Sequence, residues 1–319
     1  MKPAKFLAPS PQPLSREGRG ALSGDAITMG ADFLQFLVSG ITVGAIYALA
    51  GLGFAIIYNA STVINFAQGE FIMIGGMSAS TLTAAGVPLP LAILAGCAVA
   101  MLGGVLLAKF AIEKARNASV VTLIIITIGA SIFLRGLAEV VWGKEFHQLA
   151  SFSGDTPILL LGAAILPQSL WVVGVALVLI LVIGFFFTRT LAGKAMLATS
   201  YNRLAAQLVG VNVRKVVLAA FALSAALGAV GGAVVTPITF SSSEMGIMLG
   251  LKGFTAAVLG GLGNGLGAVV GGLIVGIAEA LSAGYLSSAY KDAVAFVIIL
   301  LVLVFMPNGL FGKRGTERV

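Results

Sequence analysis

The chain has 319 residues, 59% of them hydrophobic and 10% charged, and its mean hydropathy of +1.07 lies outside the range of soluble globular domains. The net charge of +7 falls in short clusters between long apolar runs, so it sets membrane topology and does not point to nucleic acid. A single cysteine, Cys97, and a single histidine, His147, exclude a disulfide framework and a Cys/His metal site.

Residues 1–28 carry Lys2, Lys5, Arg16 and Arg19, several prolines and no apolar core. They form neither a signal peptide nor a span, and read as a spurious or disordered leader before a true start at Met29. The first span is expected over 33–58. A polar joint at 59–70 leads into a second span at 66–85, and the turn at 86–90 into a third that ends near Ile112. Glu113, Lys114 and Arg116 then make a short basic loop. The fourth span is expected over 119–142, where Arg135 and Glu139 are four apart and can pair on one helical face. The loop that follows holds Lys144, Glu145, His147 and Asp155 without a basic excess. It reads as external, with a solvated His147 and with 157–166 packed at the membrane surface. The fifth span is expected over 170–187.

The polar stretch 188–216 carries Arg189, Lys194, Arg203, Arg214 and Lys215 and no acidic residue, which places it in the cytoplasm. Its centre reads as one helix over 194–210. Leu197, Tyr201, Leu204, Ala205 and Leu208 form an apolar stripe opposite Lys194, Asn202, Arg203 and Gln207, and Gly210 supplies the stop. Such a helix suits either a groove on a soluble partner or the lipid headgroups, and the physics alone leaves both open.

Further apolar stretches follow at 216–235, 251–262, 267–281 and 293–305, with a broken region at 236–250 and a basic tail from Lys313. The expected fold is all-α: a polytopic bundle of about nine spans with re-entrant or broken segments, N-terminus outside and C-terminus inside. Small residues four apart (Gly40 and Gly44, Gly228 and Gly232, Gly267 and Gly271, Gly272 and Gly276) predict close helix packing.

No G-x-x-x-x-G-K-[ST] run occurs, and the glycine cluster at 260–267 lacks the lysine and the flanks of a phosphate loop. It reads as a tight turn between packed spans. No Ser-His-Asp or H-E-x-x-H constellation suggests an enzyme. Glu279 is the carboxylate deepest in apolar surroundings, and alone it does not support proton-coupled transport. The polar breaks hold Asn59, Asn65, Gln68 and Glu70 in one, and Thr239, Ser241 and Ser242 in the other. Irregular backbone of this kind marks a translocation path where it lies at membrane depth and an ordinary loop where it does not.

The runs Gly44-Ala45-Ile46-Tyr47-Ala48-Leu49 and Ile64-Asn65-Phe66-Ala67-Gln68-Gly69-Glu70 resemble the LivH-type permeases of branched-chain amino acid ABC importers. So do Thr127-Ile128-Gly129-Ala130-Ser131-Ile132, Gly260-Gly261-Leu262-Gly263 and Pro307-Asn308-Gly309-Leu310-Phe311-Gly312. The resemblance covers 29–319. It implies a bacterial inner-membrane subunit that works with a second related permease, two ATPase subunits and a periplasmic solute-binding protein. No cofactor is implied in this chain, because ATP would be bound by the partner subunits. It also gives the 189–215 loop a role. Ala205, Ala206 and Gly210 match the E-A-A-x-x-x-G element that docks on the ATPase, with Gln207 between them; Leu204 departs from the usual glutamate. An ion-coupled transporter or channel, a non-transporting scaffold, and a same-family permease for amides, urea or other amino acids are the alternatives. Dependence of uptake on ATP separates the first two from the importer.

Overall fold

The computed structural model describes residues 21–115 and 118–312. Most of the expected leader, Arg116 and the basic tail from Lys313 lie outside the described residues. The elements in order are α1 (Ala21–Ser61), α2 (Gln68–Ala84), α3 (Leu89–Leu107, prolonged by a π turn at Ala108–Ile112) and α4 (Val120–Trp142). A hairpin of β1 (Ile158–Leu160) and β2 (Ala163–Ile165) precedes α5 (Pro167–Arg189), α6 (Leu191–Tyr201) and α7 (Arg203–Leu208). Then come α8 (Val213–Thr239), α9 (Met245–Gly260), α10 (Gly265–Tyr285) and α11 (Lys291–Phe305). Met29 lies inside α1.

Local chemistry sets many of these ends. The Ser119 hydroxyl accepts from Thr122 N–H to start α4, and Gly143 at φ +82° follows its end. Pro167 opens α5 at a position where no N–H is needed. Asn212 and Asn264 cap α8 and α10 through their side chains.

Seven helices among the described residues are long and apolar enough to cross a bilayer. Helix α9 is apolar but has 16 residues, about 24 Å against a hydrocarbon core of about 30 Å. Helix α2 has 17 residues and is buried along Gln68–Ser80. The expected crossings are thus seven full spans and two short inner helices.

Backbone contact holds the centre together. A Cβ on Gly69 would enter the Gly246 carbonyl, and one on Gly232 would enter the Ile72 carbonyl. Gly44 and Gly276 meet in the same way between α1 and α10. The glycine spacing therefore reports true interlocking.

The two short helices are related. Thr62, Ile64, Phe66, Glu70 and Gly76 recur 174 positions later as Thr236, Ile238, Phe240, Glu244 and Gly250. Each series crosses a break into a short helix, and α2 and α9 meet near their starts. Helix α1 packs on α10 as α8 packs on α3. This is an inverted repeat with α5 between its halves.

One face of the bundle gathers Asn59, the α9–α10 turn and Gly312, with Arg214 paired to Glu113. The α6–α7 segment joins spans at this same face, so it carries the basic excess. The other face joins Gln35 to the hairpin at Ala164 and His147 to Ser241.

Candidate functional site

The basic segment departs from the single expected helix. Asn202 adopts φ −154° and ψ 106°, which ends α6, and its side chain accepts from Ala205 N–H to start α7. Gly210 does stop the run: at φ +88° it donates to Gln207 O, and Val211 donates to Ala206 O. That pair of bonds is a Schellman motif. The stripe changes too. Ala206 is the buried alanine, while Ala205, Gln207 and Arg203 are exposed. Leu204 is 74% and Leu208 89% exposed, and Tyr201 and Lys194 also face outward. Six residues with two uncovered leucines, held by a cap and a stop, present a rigid apolar knob at the basic face.

Behind this segment lies a cavity of ≈ 670 Å³ between α1, α5, α6 and the α9–α10 turn. Its lining includes Asn59, Ile183, Leu197, Tyr201 and Leu262. Asn59 donates to Gly263 O at 2.7 Å, tying the first break to the glycine turn.

The other residues of the first break turn inward. Asn65, Gln68 and Glu70 are buried. Gln68 donates to Ser224 O at 3.2 Å and accepts from the Ser224 hydroxyl at 2.5 Å, stitching α2 to α8. Glu70 accepts from the Ser131 hydroxyl at 2.7 Å through Oε1, while Oε2 is buried without a hydrogen-bond partner. Ser131 is the middle residue of α4, so Glu70 sits at membrane depth. Asn65 Nδ2 is likewise unpartnered. In the second break Ser241 is buried, Ser242 half-buried and Thr239 exposed.

Three readings of charge need correction. Glu139 pairs with Lys144 at 3.5 Å, and Arg135 forms no ion pair with it among the described residues. His147 is not simply solvated: its backbone exchanges two bonds with Ser241, at 2.7 and 2.9 Å, and Nε2 lies 3.1 Å from Trp142 O. Glu279 is not alone either. Lys252 Nζ lies 2.7 Å from Glu279 and 2.5 Å from Asp292, and the Tyr47 hydroxyl donates to the second Glu279 oxygen at 2.8 Å. The sequence did carry a signal for this cluster, since Lys252 is a lone charge in an apolar run. The 174-residue register between the breaks is equally visible in the sequence.

Residues 36–303 match the family described as "Branched-chain amino acid transport system / permease component". The chain is 35% identical over 303 residues to the high-affinity branched-chain amino acid transport system permease protein LivH of Escherichia coli (strain K12), covering 90% of this chain and 98% of that protein. It is 34% identical over 309 residues to the corresponding protein BraD of Pseudomonas aeruginosa, with the same coverage of 90% and 98%. Among solved structures, PsaBC from Streptococcus pneumoniae in complex with Fab is similar in fold. The TM-score is 0.50 at 16% identity, over 89% of this chain and 96% of that one.

Proposed function

The chain belongs to the family of branched-chain amino acid transport permeases, and from that premise we propose that it is the membrane subunit of an ATP-driven importer. Its solute is Leu, Ile, Val or a related amino acid, and its membrane is the bacterial inner membrane. It works with a second related permease, two ATPase subunits that bind the ATP, and a periplasmic solute-binding protein. The basic face is cytoplasmic, which puts the C-terminus inside and the N-terminus outside. The polar breaks, with Asn59, Asn65, Gln68, Glu70, Thr239, Ser241 and Ser242, border the translocation path.

The observation that carries the coupling is α7. Leu204 and Leu208 are uncovered on a short helix that Asn202 starts and Gly210 stops, while Ala206 anchors it. Closure of the ATPases pushes on this knob, and α6 passes the push to α5 and α8, against which it packs. Leu204 makes the contact apolar where relatives with glutamate would make it polar.

The test is uptake of labelled leucine into vesicles holding the reconstituted complex. Wild type is expected to take up leucine only with ATP. Gly210→Pro cannot adopt φ +88°, because proline is fixed near about −65°, and Ala206→Glu places a charge at a buried position. Both variants are expected to lose uptake together with ATPase capture. Uptake without ATP overturns the reading.

A further inference from the structure

We propose that the uncovered face of α9, from Glu244 through Ile247, Met248 and Leu251, is this subunit's wall of the solute path; the inference rests on the permease reading above.

The argument begins with depth. Ser241 packs beside Gly76, in the middle of α2, and eight residues of α2 continue outward from there, about 12 Å. Gly246 lies against Gly69 and Glu70, so a Cβ on it would stand 2.7 Å from Glu70 Oε2. Glu70 in turn is bonded to Ser131 at the middle of α4. The segment from Ser241, bonded to the His147 loop on the outer face, to Gly246, beside Glu70, therefore descends from that face into the bilayer's span, with Glu244 on the way.

The segment's backbone turns at Phe240, φ +59°, and protein covers it: Ser241 and Ser243 are buried, and Ser241 exchanges two backbone bonds with His147. What is left uncovered is the Glu244 side chain and the α9 face below it. The Glu244 side chain is exposed, caps no helix and forms no ion pair among the described residues. A carboxylate there is unsuited to lipid and faces water or a polar group of a neighbouring subunit, and the labelling experiment below separates the two. Below it Ile247 is 37% and Met248 36% exposed, and Leu251 is half-buried. An acidic group above flexible apolar side chains suits a zwitterion with a branched aliphatic tail. The ammonium meets Glu244, and the tail meets Met248 and Ile247.

The lower end of the face is closed. Phe254 stands one turn beyond Leu251, and its ring lies 5.2 Å from Phe66 and 5.7 Å from Phe54. Ala55 and Leu262 pack in this aromatic group and also line the ≈ 670 Å³ cavity on the basic face. The three rings thus form a plug between a wet upper wall and a lower vestibule beside α6.

The experiment uses the full importer in a Cys97→Ser background, with Glu244→Cys, Ile247→Cys and Met248→Cys made singly so that no one assembly defect decides it. A small membrane-impermeant cationic thiol reagent reads exposure to water. Leu181→Cys, on the 64% exposed apolar side of α5, reports lipid. The α9 cysteines are expected to react about tenfold faster than Leu181→Cys, because only a wet thiol ionises. The rates should fall when leucine-loaded binding protein is added. Rates equal to that of Leu181→Cys overturn the path even if ATP-driven leucine uptake is intact. Fast reaction unaffected by the loaded binding protein overturns it as well. Absence of leucine uptake in wild type, with ATP hydrolysis still stimulated by the loaded binding protein, overturns the leucine reading of the solute separately.

Discussion

Lys252 ties α9 to α10 and α11 through one buried charge. Its ammonium is shared by Glu279 and Asp292 while its own side chain is 6% exposed. Lys252→Met would leave a buried carboxylate without its cation, which costs about 3–5 kcal/mol. Thermal unfolding in detergent should show that loss, and Lys252→Met combined with Glu279→Gln should recover part of it. At the surface the expectation is opposite. Leu208 is 89% exposed, so Leu208→Ala should change stability by no more than about 0.5 kcal/mol. It should nevertheless weaken capture of the ATPase subunits in a pull-down, which separates an interface residue from a folding residue.

Among the elements, packing at bare backbone makes the strongest prediction. Gly232→Leu pushes a side chain into the Ile72 carbonyl, whereas Gly129 on α4 has nothing within 4 Å of a new Cβ. Gly232→Leu is expected to abolish a monodisperse peak in size-exclusion chromatography, and Gly129→Leu to leave it unchanged. These contacts also show what could be read beforehand. The ends of α4 were legible because Ser119 and Gly143 signal them chemically, and the interlocking of α1 with α10 was legible in the spacing of Gly40 and Gly44. The α6–α7 break was not, since Asn202 fits the polar face of a continuous helix as well as it fits a cap. The start of α9 at Met245 was hidden because Gly246 and Gly250 argue against a helix until Gly69 is known to lie against them. The bond between His147 and Ser241 joins residues remote in sequence, and no local pattern announces it.

On the scale of the whole molecule, α1, α2, α8, α9 and α10 form a block keyed backbone to backbone, with α4, α5 and α11 around it. Helices α4 and α11 are mostly uncovered, and each is fastened by polar contacts. Ser131 on Glu70 holds α4, and Asp292 on Lys252 holds α11. Motion during transport should therefore separate the outer helices from the block before it disturbs the block itself. Hydrogen exchange under turnover is expected to rise in α4 and α11 and to stay low in α2.

The charge on α9 also bears on how the protein is made. Lysine at the centre of a lone span opposes insertion by about 2.5–3.5 kcal/mol, and α9, with 16 residues and Lys252 near its middle, has little apolar length to compensate. Its counter-charges, Glu279 and Asp292, are synthesised later. Ribosome-bound chains ending near Gly263 should leave α9 open to protease, and chains reaching Gly312 should protect it. The last third of the protein would then enter the bilayer as a folded group, with α9 waiting at the translocon for helices not yet translated.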